Sequence, residues 1–219
     1  MPKEMEGNKQ REKYIQKLIP TLRKHGIASL KMDEITRIMD ISKATLYKYF
    51  SSKADIVSEV VDTYVKYIQH IDELIMNDQT PHGTRFQKVF EQSLLIAFYV
   101  TENFLADLKD IHPVGFEKIS HAQAERRHNL EKFYANGVAE DIFHPIHAQM
   151  FMLQDEIVLR KIVDPIYLLQ QGLTLEEALR EYYQLKKFQL FKDDQLEAVD
   201  DDAMESYIRY MANKVTLGL

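Results

Sequence analysis

The sequence contains no cysteine, so a disulfide framework and a thiolate metal site are excluded, and the composition fits a reducing cytosol. Glycine and proline are scarce, seven and six in 219 residues, which leaves little room for tight β-turns. The longest apolar run is "LLIAFYV", residues 94–100, far short of the roughly 20 residues that span a bilayer. The opening "MPKEMEGNKQREK" has no apolar segment of the kind a secretory signal carries. There is no Gly-rich phosphate loop, no H-E-x-x-H, and no spacing that assigns a Ser-His-Asp triad. The expectation is a cytoplasmic protein that is not an enzyme, holds no cofactor and contacts no membrane.

What is present reads as helix. Hydrophobic residues make up 45% and charged residues 28%, and apolar positions recur three and four apart through long stretches. The spacing predicts an all-α chain, with helices over about 8–25, 32–39, 43–49, 53–76, 84–108, 115–135, 146–162, 165–171, 175–191 and 202–215. Local chemistry supports several ends. Gly26 is placed to terminate the first helix, and Asp40 to take up a left-handed turn. Ser42 is a good N-cap for the helix that follows, while Thr174 and Glu177 have the spacing of a capping box. Pro20 is expected to kink or tighten the first helix.

The net charge of −6 hides an asymmetry. Residues 1–53 hold 12 Lys+Arg against 6 Asp+Glu, and residues 54–219 hold 16 against 28. A basic head is thus joined to an acidic body, at +6 and −12. In the head, "ISKATLYKYFSSK" (41–53) concentrates hydroxyls, lysines and aromatics on a short helix. Leu46 and Phe50, four apart, share a face that can anchor this helix to the two before it. Ala44 and Thr45 are short enough to lie close to base edges. Lys43, Tyr47 and Lys48 suit phosphates at the margins, and Ser42 lies at a helix start whose free N–H groups also attract them. Two short helices joined by a three-residue turn, with a longer helix before them, form a helix-turn-helix layout.

"DEITRIMDISKATLYKYFSSKADIV", residues 33–57, resembles the DNA-binding region of the TetR (tetracycline-repressor-like) family of transcriptional regulators. Within it, "SKATLYKYFSSK" matches the family's S-x-x-T-L-Y-x-Y/H-F-x-x-K pattern at every defined position. The resemblance covers about residues 10–60. It implies two all-helical domains, here 1–53 for DNA binding and 54–219 for ligand binding and dimerisation. It further implies a homodimer on palindromic double-stranded operator DNA, usually a repressor, released by a small-molecule effector. By position, Thr45, Tyr47, Tyr49 and Lys53 take DNA-contact roles, mostly to phosphate, and Lys43 and Ala44 fall where relatives read bases. Two positions depart from the family: Asp40 stands where glycine is usual, and Lys31 where a Thr or Ser cap is usual. Lys31 cannot accept a cap bond but has the charge to contact phosphate.

The body holds no motif. A mainly apolar pocket for a hydrophobic or amphipathic effector is expected among its helices, with Phe98, Tyr99, Phe104, Phe116, Tyr134 and Phe151 as candidate lining. The 175–191 helix, through Leu175, Leu179, Tyr182, Leu185 and Phe188, is the candidate dimer seam together with the 146–162 helix. Histidines invite a metal reading, since His121, Glu125 and His128 share a face and His144 and His147 are three apart. A di-iron bundle needs a second Glu-x-x-His, and none occurs, so no metal is expected. The alternative of a different class is a helical-bundle enzyme or metal-binding protein.

Overall fold

The computed structural model describes the backbone of residues 2–217 and the side chains of residues 7–214. Among these lie twelve α-helices, a 3-10 turn at Asp193–Ala198 and an isolated β-bridge between Phe143 and Phe191. The helices are α1 (Pro2–His25), α2 (Met32–Met39), α3 (Lys43–Tyr49), α4 (Lys53–Gln69), α5 (Asp72–Ile75) and α6 (His82–Tyr99). They continue as α7 (Glu102–Ile111), α8 (Pro113–Ala139), α9 (Ala148–Ile162), α10 (Pro165–Gln171), α11 (Leu175–Leu190) and α12 (Asp201–Leu217). The all-α expectation is met. Packing divides the chain into two compact units: Met1–Tyr67 with Tyr99–Ala122, and Ile68–Phe98 with Gln123–Leu219. The packing boundary therefore falls beyond the functional division drawn at residue 53, because α4 and α7 pack with the head.

In the first unit each turn is set by a short local device. Gly26 takes φ 72° and donates to Leu22 O at 2.9 Å, ending α1 with a left-handed residue that costs glycine little. Two N–H groups just beyond it, of Ile27 and Ala28, donate to Asp107 Oδ2 at 2.7 and 2.9 Å, so a carboxylate from α7 holds the α1–α2 loop. A Cβ at Gly26 would come within 2.2 Å of that oxygen. Asp40 is left-handed at φ 57°, and Ile41 N–H reaches back to Thr36 O at 3.1 Å in a Schellman-type stop. Ser42 then caps α3, its Oγ accepting Thr45 N–H at 3.0 Å. Helix α1 runs on through Pro20. Its stripe of Tyr14, Ile15, Leu18, Ile19 and Leu22 is buried, and that packing carries the helix past the missing N–H.

Two expected long helices are broken. The 53–76 helix stops at Gln69, where Ile68 O accepts the Gln92 side-chain amide. In a continuing helix that carbonyl would accept the N–H of residue 72. The 84–108 helix divides at Val100–Thr101, where Thr101 Oγ1 accepts Phe104 N–H at 3.3 Å and starts α7. The Thr174–Glu177 capping box of α11 is present as expected.

The second unit is built on an aromatic core that includes Phe86, Phe90, Phe133, Tyr134, Phe143, Tyr183 and Phe191. Phe143 and Phe191 meet edge to face at 4.9 Å, which adds directional stabilisation to the buried area. Gly137 lies directly under the Phe143 ring, and a Cβ there would approach it to 2.1 Å. Lys186 is fully buried and donates to Asp155 at 3.1 Å and to Phe151 O at 2.6 Å, which offsets the cost of taking its charge out of water. Among the described residues no helix is long and apolar enough to cross a membrane.

Candidate functional site

The surface of α3 follows from its register. Leu46 and Phe50 are fully buried behind it. Ser42, Lys43, Ala44 and Lys48 are exposed in front, as is Lys31 on the flank, and Tyr47 is 56% exposed. A large aromatic so placed has no role in the core. Thr45 and Tyr49 are half-buried, Tyr49 against Tyr14 with ring centroids 5.4 Å apart. Lys48 lies 5.4 Å over the Tyr49 ring. Lys53 is also half-buried and donates to Ala28 O at 3.0 Å. Burial lowers its pKa from the usual lysine range, opposed by the charges of Asp107 and Glu34. All nine candidate DNA-contact residues thus belong to the first unit, on α3 and the segments beside it.

Lys43 pairs with Asp33 of α2 at 2.7 Å, and that hydrogen bond raises its ammonium above the usual lysine range. Both partners are exposed, so water competes freely for the lysine. Lys31 makes no side-chain cap, but Glu34 completes half of the motif by accepting Lys31 N–H at 2.9 Å.

Sequence reasoning missed the residue that fastens α3 to its support. Arg11 of α1 sits 4.7 Å over the Phe50 ring and donates to Tyr49 O at the end of α3. It pairs with Asp55 and Glu59 of α4, at 2.7 Å each. Burial lowers the Arg11 pKa, but the bonds to Asp55 and Glu59 outweigh it and the net shift is upward. One guanidinium so placed ties three helices together. The available signal was an arginine in α1 followed by acids in the first turns of α4.

The second unit contains a cavity of about 330 Å³ between α6, α8 and α9. Its wall combines Ile96, Ala97, Met152 and Leu153 with Arg126, Arg127, Arg160, Asp155 and Glu156. None of the six aromatics expected to line a pocket lies on it. Phe98, Tyr134 and Phe151 are buried in the second unit, whereas Tyr99, Phe104 and Phe116 belong to the first. Tyr99 packs near Tyr67 and Phe104 packs on Tyr64, at 5.7 and 4.9 Å. This space is lined instead by smaller apolar and charged residues, while five of the six rings, all but Phe116, are buried in the cores. The signal was a charge at a core position, since Arg126 interrupts the inward stripe Ile119, Ala122, Leu130, Phe133 of α8.

The candidate seam on α11 divides. Leu175, Leu179 and Tyr182 are buried against their own chain, whereas Leu185 is 51% and Phe188 59% exposed. Each three-residue step falls about 60° short of a full helical turn, so 182, 185 and 188 move progressively off the core face. On α9, Met150, Leu153 and Ile157 form a second exposed apolar ridge. Among the described residues no three His, Asp or Glu side chains converge as metal ligands. His147 caps α9 by accepting Met150 N–H at 3.4 Å.

Residues 21–60 match the family of bacterial regulatory proteins designated tetR. No curated protein matches the sequence. Among solved structures, a TetR regulator from Chloroflexus aurantiacus aligns with a TM-score of 0.61 at 15% identity, covering 85% of this chain and 98% of that one. The ketosteroid transcriptional regulator KstR2 of Mycobacterium tuberculosis aligns with a TM-score of 0.61 at 16% identity, covering 84% and 95%. A gamma-butyrolactone receptor described as ArpA-like aligns with a TM-score of 0.59 at 12% identity, covering 94% and 99%. The 21–60 segment thus carries the tetR helix-turn-helix by sequence, and the chain as a whole has the TetR fold.

Proposed function

We propose that this chain is a transcriptional regulator, acting as a repressor, that binds palindromic operator DNA as a homodimer and is released by a small-molecule effector. The observation that carries the reading is the two-sided α3. Leu46 and Phe50 are fully buried, and the opposite face offers Ser42, Lys43, Ala44, Tyr47 and Lys48 to a partner. Within it, Lys43 and Ala44 act as base readers, and Lys31, Ser42, Thr45, Tyr47, Lys48, Tyr49 and Lys53 contact or frame the phosphates.

For dimerisation we read the exposed Leu185 and Phe188 of α11 with the exposed ridge of α9 as one apolar seam. Two proteins of this fold are described by small organic molecules, a ketosteroid and a gamma-butyrolactone, which supports an effector site in the second unit. Release then works by population shift. Recognition helices of a dimer must stand about 34–36 Å apart to enter successive major grooves. An effector that binds better to a state with another separation drains the DNA-competent population. The reading as a cytoplasmic protein follows from this role.

The test is fluorescence anisotropy of labelled genomic duplexes with the full chain across a salt series. Binding that weakens linearly in log–log salt supports the proposal. Absence of binding at low ionic strength refutes it.

A further inference from the structure

Arg126 is the focus of the cavity in the second unit. It lies on the inward stripe of α8 and is half-buried. Its Nε donates to Gln92 Oε1 and its Nη2 to Ser93 Oγ, each at 2.6 Å. Gln92 is fully buried, and its amide is anchored in turn on Ile68 O. The guanidinium is therefore held in a fixed direction by groups with no charge of their own. These neutral acceptors orient the cation without neutralising it, while the carboxylates of Asp155 and Asp72 also act on it through their charge.

The rest of the wall carries charges of both signs. Arg127 and Arg160 add two positive charges, against Asp155 and Glu156. Asp155 is already engaged, accepting from Lys186 Nζ at 3.1 Å and from the Tyr182 hydroxyl at 2.9 Å. Glu156 and Arg127 are both exposed, where water screens them alike. The Tyr134 hydroxyl is buried with no hydrogen-bond partner among the described residues and lies within electrostatic range of Arg126 and Asp155. Ile96, Ala97, Met152 and Leu153 supply apolar surface beside these groups. The volume of about 330 Å³ lies at the small end of the roughly 300–1,000 Å³ typical of ligand sites.

We infer that this cavity binds a small amphipathic organic anion, with its head on Arg126 and its apolar body against Ile96, Ala97, Met152 and Leu153. The inference rests on the reading that the second unit holds an effector site, and it narrows the expected hydrophobic or amphipathic effector to a negatively charged one. Carboxylate and sulfate heads share the required chemistry. A planar carboxylate can take a bidentate guanidinium contact, whereas a tetrahedral sulfate offers more acceptors with less directional matching.

The experiment is calorimetric titration of the full-length protein with four ligands of matched tail: octanoate, octyl sulfate, octanol and octylamine. At least one of the two anions should bind about tenfold or more tightly than octanol, with octylamine weakest. Arg126→Met, which keeps the apolar stem, should remove that preference. If Arg126→Met does not fold, the paired rim variant Arg127→Gln/Arg160→Gln should narrow the gap between anion and octanol. Octanol binding as tightly as both anions, or unaltered anion affinity in the folded variants, would overturn the anionic class while leaving the effector reading standing. Failure of all four ligands to bind would overturn both.

Discussion

In the first unit the cations that matter face outward. Lys31, Lys43 and Lys48 are exposed, and the positions behind them are filled by fully buried Leu46 and Phe50. In the second unit several charges face inward, with Arg85, Asp155 and Lys186 all buried on the core sides of their helices. An exposed cation costs little to maintain and is available to a polyanion. A buried one must be offset by partners or it destabilises the fold. The head therefore keeps its cations at the surface, while the body holds internal charges that must be offset by partners, as Lys186 is by Asp155.

The sharpest test of that contrast is to truncate a buried side chain in each region. Lys186→Ala leaves Asp155 buried without its cation and should cost about 3–5 kcal/mol in denaturant unfolding. In the head the vulnerable position is apolar: Leu46→Ala should cost about 2–5 kcal/mol, whereas its exposed neighbour Tyr47→Ala should change stability by less than about 0.5 kcal/mol. Equal effects at 46 and 47 would mean that α3 is not two-sided. If the proposed seam joins two copies, Phe188→Glu should separate them in sedimentation analysis with no loss of helical content, because the side chain is 59% exposed in the single chain.

Smaller effects sharpen the picture of the head. Lys53→Ala should weaken binding to all DNA sequences alike and reduce the salt slope by about one. A change in sequence preference instead would make Lys53 a base reader. The smallest effect concerns acid. Burial raises the Asp55 pKa, but the hydrogen bonds from Ser51 and Arg11 outweigh it, and the net shift is downward. Its contribution to stability is therefore present above the ordinary carboxylate range and is lost as pH falls through the depressed folded value. Thermal melts of wild type and Asp55→Asn should differ near neutrality and converge at strongly acidic pH.

The same contrast explains what could be read in advance. Gly26, Asp40, Ser42 and the Thr174–Glu177 pair act within a few residues of themselves, so local chemistry gave the turns and caps they make. The bounds of α2, α3 and α10 followed from such signals. What escaped depends on distant partners. The stop of α4 involves Gln92, and the α1–α2 loop is held by Asp107. The aromatics of the body suggested a pocket lining, yet large rings fill cores most efficiently, and the cavity is marked by Arg126 out of place on an apolar stripe. Leu185 and Phe188 continue the three-residue spacing of Tyr182, yet each step turns them farther from the core face that Leu175 and Leu179 occupy.

The central claim is that the outward face of α3 reads duplex DNA. Selection from a random duplex pool, with wild type and with Lys43→Ala, tests it most directly. The account predicts one motif of two inverted half-sites about one helical turn apart, with altered base preference in the variant. No enriched motif, or the same motif from both proteins, would contradict it.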